Sequence, residues 1–330
     1  MKSLPALLTR GLKLSHLQMM AAFAETGQIG SAAERLGIAQ PAASRLLSEV
    51  EEMLGLPVRT RAGRGVMLTE AGRVLADRAG RVMQELAEAG REVAEIAAGG
   101  VGRVRIGAVT APALDIVLPA LRTARLSHPR IESEVVVAAS DILCDQLASG
   151  RLDFVIGRVP AGVDAGLFDG RVIAPEPVAL VVRKGHHLAE RPPQGPGELM
   201  GYDWVLPGEE SPLTQAVLAR LAALGLPRPS QRLSTASFLL TLALLHQSNV
   251  VAPLAQAVAD QFARGPDAPL VQLRLDLGIE VAPYSLLTRK GARLTAAAET
   301  VLGIVGLSLP GGDQAGSLGR RNSTTSRTKV

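Results

Sequence analysis

A single cysteine, Cys144, stands in 330 residues. No disulfide can form within the chain, which excludes a fold held by cross-links and fits a reducing compartment. Cys144 lies among Ile142, Leu143 and Leu147, the setting of a packed thiol rather than a reactive one. Aromatic residues are scarce too, at 2%, so any core must be built mainly from Leu, Val and Ala. No apolar run reaches the roughly 18 residues of a membrane-crossing helix. The basic opening MKSLPALLTRGLKLS is interrupted by Pro5, Thr9 and Arg10 and leads to no small-residue cleavage site, so no signal peptide is expected. The expectation is a cytoplasmic protein with no membrane partner. Enzyme chemistry is poorly provided for: there is no Ser/His/Asp set, no cluster of metal ligands and no well-placed nucleotide loop. Asp141 and Asp145 share a helix face, which surface charge explains. His186 and His187 are adjacent and point apart, a poor start for a metal site. No catalytic residue, metal or cofactor is predicted.

What is present begins with residues 31–54, SAAERLGIAQPAASRLLSEVEEML. Ser31 followed by Glu34 has the spacing of a capping box and opens a short helix that Gly37 ends. Gln40-Pro41 starts a second helix, with Pro in the first turn, where no N–H is needed. Ala42, Leu46, Val50 and Leu54 recur at helical spacing and can face a core. Gln40, Ser44, Arg45 and Ser48 then fall on or near the outer face. Two short helices around a tight turn make a helix-turn-helix, whose second helix fits a major groove, where Gln can read adenine and Arg guanine or phosphate. An ordinary helical hairpin is the competing reading of this stretch alone. A preceding helix is capped by Ser15 and stopped by Gly27. After Leu54, Val58 and Val66–Leu68 read as two short strands turning at Gly63 and Gly65, with Arg59, Arg61 and Arg64 on the hairpin and no acid between Met53 and Leu68. That is a basic wing, able to put Arg on phosphates or into a minor groove.

Thr69 caps a long helix in which Leu75, Ala79, Val82, Leu86, Ala89, Val93 and Ile96 repeat every seven residues, the seam of a coiled coil. Its polar flanks predict a dimer. Gly99, Gly100 and Gly102 then break the helix and suit a hinge. From Arg103 onward strands alternate with helices: strands at 103–109, 134–138, 154–157, 177–183, 249–252 and 284–288, and helices between them and after the last. This pattern implies mainly parallel sheets. Ligands of such sheets sit beyond the carboxyl ends of strands, near helix N-termini. That rule selects Thr110, Ser140, Arg158, Ser234 and Thr235. Thr110, Ser140 and Thr235 either face a ligand or cap helices; Arg158 either clamps an anion through paired hydrogen bonds or pairs with an acid. The end of the chain, GGDQAGSLGRRNSTTSRTKV, has the composition of a disordered basic tail.

The run AAFAETGQIGSAAERLGIAQPAASRLLSEVEEMLGLPV, followed by GRGVMLTEAG, resembles the N-terminal domain of LysR-type transcriptional regulators. The resemblance is strong over residues 14 to about 98 and continues by pattern to about 308. It gives Gln40, Pro41, Ser44 and Arg45 the recognition positions, and Arg61 and Arg64 the wing. One departure stands out: the family carries an apolar Leu-Phe pair where this chain has Val58-Arg59. Arg59 can instead add a phosphate contact. The fold class implied is α/β: an N-terminal winged helix-turn-helix (13–68) after a short extension (1–12), a linker helix (69–98), a hinge (99–102), a two-lobed α/β effector-binding domain resembling a periplasmic solute-binding protein (103–308; lobe I about 103–176 and 271–308, lobe II about 177–270), and the tail (309–330). The resemblance further implies double-stranded promoter DNA, a small polar or anionic effector, and a dimer or tetramer as partners, with RNA polymerase as a further one. The segments SNVVAP and PYSLLTRKGARLTAAA are similar to those of regulators of sugar and aromatic-acid catabolism. A solute-binding protein or sensor without a DNA-binding role is the alternative.

Overall fold

The computed structural model describes residues 10–62, 65–97, 102–265 and 267–309. Arg64, the hinge residues Gly99 and Gly100, the side chain of Ile96 and the tail from 310 lie outside them. The chain divides into two compact units, Met1–Gly100 and Val101–Val330.

The first unit opens with helices α1 (Leu14–Thr26), α2 (Ile29–Arg35) and α3 (Gln40–Leu54). Gly27 ends α1 at φ 67°, a left-handed conformation that a side chain disfavours. Met19, Met20, Phe23, Ala32, Ala33, Ala43, Leu47, Val50 and Val58 form the core. The buried face of α3 is therefore Ala43–Leu47–Val50, one residue round from the expected Ala42–Leu46; Ala42 is exposed. Both residues of each pair, 42/43 and 46/47, are apolar, so periodicity alone could not choose between them. Ser31 lies inside α2 and Gln28 precedes the helix, so Ser31 is not its cap. Nor is Ser15 the cap of α1, which follows Lys13. His16 supplies that end instead: its Nδ1 accepts from the Lys13 N–H (2.9 Å), while Nε2 meets Glu49 Oε2 (2.9 Å). A neutral imidazole satisfies both bonds and ties the start of α1 to α3, and the same bond lowers the Glu49 pKa.

Strands β1 (Arg59–Ala62) and β2 (Gly65–Leu68) form an antiparallel hairpin, and helix α4 spans Glu70–Ala97. Thr69 Oγ1 accepts from the Gly72 N–H (3.1 Å) and donates to the Pro57 carbonyl (2.7 Å), capping the helix and fixing it to the wing.

The second unit carries β3 (Arg103–Ala108), a helical turn Thr110–Pro112, a π-helical segment Ala113–Val117, α5 (Leu118–Ser127), β4 (Glu132–Val137), α6 (Ser140–Ala148), β5 (Phe154–Gly157) and β6 (Phe168–Arg183). It continues through β7 (Trp204–Leu206), α7 (Pro212–Ala223), β8 (Arg232–Ser234), α8 (Phe238–Gln247), β9 (Ala252–Ala255), α9 (Gln256–Phe262), β10 (Leu270–Gln272), β11 (Glu280–Arg289) and α10 (Ala296–Leu307). In the first lobe the strand order is β4-β3-β5-β11-β6, with β3 parallel to β4 and β5. Past Pro177, the same β6 takes β9 and β10 as antiparallel partners and enters the second lobe. The sheets are thus mixed rather than mainly parallel. β4 is an edge strand that is largely exposed. Leu273, Leu277, Ile279 and Val281 pack in the second core, so that lobe extends beyond residue 270. Pro175, Pro177 and Pro283 lie where β6 and β11 cross between lobes. Proline has no N–H for a ladder, and the β6–β11 register shifts between Val281 and Tyr284.

Two measurements test this packing. A Cβ on Gly72 would lie 2.0 Å from the Val58 carbonyl oxygen. Gly72→Ala would gain at most about 1 kcal/mol of helix propensity, against roughly 1–3 kcal/mol for overpacking; the urea midpoint should fall, and a rise would mean that the contact yields. The second concerns His186, which is 0% exposed. Its Nδ1 accepts from the Leu188 N–H (3.0 Å), and its Nε2 has no hydrogen-bond partner. Burial first, then the charges of Arg183 and His187, hold its pKa below the usual imidazole value; the Asn249 main chain pulls the other way but stands outside hydrogen-bonding geometry. With a depressed folded-state pKa, the stabilisation is complete above the unfolded value of about 6.5 and is lost as pH falls below it. Denaturant titrations from about pH 7 to 5 should show stability falling with acid, and His186→Asn, which keeps the cap acceptor, should remove that part of the slope.

Candidate DNA interface and effector cleft

The outer face of α3 presents Gln40, Pro41 and Arg45 to solvent, with Ser44 half-buried beside them. Ser48 and Arg59, expected on the same surface, are bound to each other: the Arg59 Nη2 donates to Ser48 Oγ at 2.8 Å. Arg59 Nε also lies 3.5 Å from Glu51 Oε2, and Glu51 Oε1 accepts from the Val58 and Arg59 N–H groups (3.1 and 3.3 Å). Arg59 is thus an anchor between wing and recognition helix. Arg61 is exposed on β1. Sequence reasoning passed over Arg73, whose Nη1 donates to the Leu68 carbonyl at the base of the wing (3.1 Å); its place in the first turn after the wing is the signal that could have found it.

The expected seam on α4 divides in two. Ala79, with Ala76, is buried in the core of its own unit, and Leu75 packs at the edge of that core. Val82, Leu86 and Val93 remain 42%, 49% and 66% exposed. Ala89 and, off the seam, Val74 are exposed too. The upstream end of the pattern therefore serves the domain core, and the downstream end is an apolar stripe open to solvent.

In the second unit, Thr110, Ser140 and Arg158 follow β3, β4 and β5 and share the carboxyl edge of the first lobe. Ser140 Oγ accepts from the Arg158 N–H (3.2 Å), and the Cys144 thiol donates to the Arg158 carbonyl (3.4 Å). Burial, then Asp145 and Asp141, push the Cys144 pKa up to about 11, which suits its packing role. The Arg158 side chain is not open to an anion. Its Nε donates to the Ala282 carbonyl (2.7 Å), its Nη2 pairs with Glu176, and its guanidinium lies 5.8 Å from the Tyr284 ring centre. Arg158 and Glu176 are each 14% exposed. Arg158 is thus paired with an acid, Glu176, as the alternative reading of it had it. Glu176, Ala282 and Tyr284 were missed, because 168–176 carries no alternating pattern and reads as loop. On the second lobe, Thr235 Oγ1 accepts from the Ser237 N–H (3.0 Å), and Ser237 Oγ accepts from the Leu240 N–H (3.3 Å). Ser237, not Thr235, caps α8. Ser234 is exposed at the end of β8. The lobes touch where α9 packs on Thr110–Val117, with Ala111 inside the second lobe's core. Among the described residues no helix is long and apolar enough to cross a membrane, and no group of His, Cys, Asp or Glu could hold a metal.

A winged helix-turn-helix, a long helix with an open apolar stripe and a two-lobed α/β unit together define a DNA-binding regulator with a ligand-sensing half. Comparison with known proteins agrees. Residues 14–73 match the family described as bacterial regulatory helix-turn-helix protein, lysR family, and residues 97–306 match the LysR substrate binding domain. The chain is 41% identical over 261 residues to the HTH-type transcriptional regulator GbpR of Rhizobium radiobacter, covering 78% of this chain and 86% of that one. It is 35% identical over 292 residues to GbpR of Azospirillum brasilense, covering 88% and 85%. The crystal structure of full-length CbnR complexed with its target DNA shares the fold, with a TM-score of 0.57 at 21% identity over 90% of this chain and 100% of that one. The chain belongs to the LysR family of transcriptional regulators. It is a DNA-binding protein with an effector-binding domain, and its family is one of regulators, not enzymes. A free-standing solute-binding protein would leave residues 14–73 without a role.

The two wing arginines should separate experimentally. Arg61→Ala should lower the slope of log K against log salt by about one unit, as for a lost phosphate contact. Arg59→Ala should leave that slope unchanged and lower stability by about 1 kcal/mol, read by denaturation and by salt titration of a gel shift. A slope change in Arg59→Ala would put its guanidinium on the DNA after all.

Proposed function

We propose that this regulator reads promoter DNA through Gln40, Pro41, Ser44 and Arg45 in the major groove and Arg61 with Arg64 on the wing, and adjusts the DNA bend when a small molecule closes the cleft between its lobes. In this division of labour residues 13–68 read DNA, 69–98 dimerise, 99–102 flex and 103–308 sense, with Thr110, Ser140 and Thr235 at the ligand. The observation that carries it is the exposed polar face of α3 beside an arginine-bearing hairpin, since that pairing of helix and wing fits a groove and its flanking phosphates together. Val82, Leu86, Ala89 and Val93 supply a dimer seam: an exposed apolar stripe on a helix gains by burial against its own copy. Two such dimers joined through their sensor units make a tetramer, RNA polymerase is the onward contact, and the cytoplasm is the working compartment.

Footprinting on the DNA upstream of its own gene tests the reading. Two protected half-sites should appear about one helical turn apart, or a multiple of it. Val82→Glu combined with Leu86→Glu should yield monomers in sedimentation and remove specific protection. Sedimentation unchanged from wild type would move the dimer seam elsewhere, and loss of protection in Arg45→Ala without loss of fold would support the recognition face.

A further inference from the structure

We infer that the cleft takes an uncharged, hydroxyl-rich molecule and discriminates against organic anions; the inference rests on the reading of the cleft as the effector site. The charge around Arg158 argues for it. The arginine that follows β5, Arg158, is already neutralised by Glu176 and fixed by the Ala282 carbonyl. Two carboxylates, Asp115 and Glu176, act on Tyr284 against the single cation Arg158. After burial, they are the groups that hold the phenol above its usual pKa. At the Tyr284 hydroxyl, therefore, two carboxylates oppose one guanidinium. An arriving carboxylate meets repulsion, not a clamp. To free Arg158 for it, the ion pair would have to open and leave Glu176 unpaired at 14% exposure, which is the strongly unfavourable half of a buried-pair disruption. On the second lobe, too, the arginines converge on an acid: Arg232 and Arg228 lie 2.8 and 3.9 Å from Glu209 Oε1.

The polar atoms that remain suit hydroxyls. Ser140 Oγ and Thr235 Oγ1 each already accept from a main-chain N–H, so each has its own O–H left to donate. Asp115 is exposed on the segment that meets α9 of the other lobe, and as a carboxylate it can only accept. Donors on both lobes, Ser140 and Thr235, with an acceptor at Asp115 on the first, call for a ligand whose groups both accept and donate. A polyol has that property; a carboxylate only accepts.

The test titrates the full-length protein by calorimetry and thermal shift with aldoses, and with the aldonic and uronic acids that differ from each by one oxidised carbon. The aldose should bind at least about tenfold tighter than its acid. Asp115→Asn, an exposed change, should narrow that ratio a few-fold. Thr110→Trp, checked for native folding by its ligand-free DNA binding, should abolish binding by filling the cleft. An acid that binds as tightly as its aldose, and is lost in Thr110→Trp, overturns the ligand class and leaves the cleft reading standing. Binding that survives Thr110→Trp overturns the cleft reading and the inference with it. No binding by any neutral member overturns the inference.

Discussion

Strand β6 belongs to two cores. Its first part is hydrogen-bonded to β11 in one lobe, and Val178–Val182, five buried residues in succession, lie between β9 and β10 in the other. A paired strand cannot stretch, so the lobes can move only by bending at the joint. There the ladder is already interrupted by Pro175, Pro177 and Pro283, and the β11 register slips. The Arg158 guanidinium occupies this interruption: it takes the Ala282 carbonyl that the slip leaves over and the Glu176 carboxylate on the opposite strand. At this interrupted ladder, where Val178 N–H still donates to the Ile279 carbonyl (3.0 Å), the side chain that follows β5 adds a further tie. The ion pair, two-lobed architecture and cleft chemistry all follow from that arrangement.

This explains why the two halves of the chain were unequally legible. The DNA-binding unit is made of local decisions: Gly27 stops a helix, Pro41 starts one, and Thr69 caps the next, each within a few residues of its partner. The sensor's strands at 103–109 and 154–157 were equally plain, because short β-branched runs bounded by polar residues read directly as strand. The first half of β6, by contrast, reads FDGRVIAPEP, with a glycine and two prolines that argue against a central strand. It is a strand because β11 lies beside it, an interaction between residues more than a hundred positions apart. The partner of Arg158 was hidden for the same reason. The rule about strand ends found the right arginine, but which charge faced it depended on the crossing.

The wing shows a similar limit at shorter range. The resemblance pointed to a missing apolar anchor at Val58-Arg59, and the remedy is visible only in three dimensions. Val58 fills the core at 0% exposure, and Arg59 replaces packing with directed bonds to Ser48 and Glu51. Glu51, on α3, thus holds the hairpin through both its carboxylate oxygens. The seam on α4 was misjudged in the opposite sense: a continuous seven-residue pattern serves two surfaces in turn, because a helix that leaves its domain must first pack against it.

The absence of a side chain at Gly72 has a mechanical consequence. With the Val58 carbonyl against it, the first turn of α4 cannot roll or slide on the wing. The helix has 28 residues and so extends roughly 42 Å. It is a lever whose short end is fixed to the reading head. Over that length, a displacement of about 1 Å at the carboxyl end corresponds to a tilt of little more than about one degree at the fulcrum. The gearing is a reduction: under the proposed division of labour, a coarse shift at the far end reaches the recognition helix as a fine angular correction.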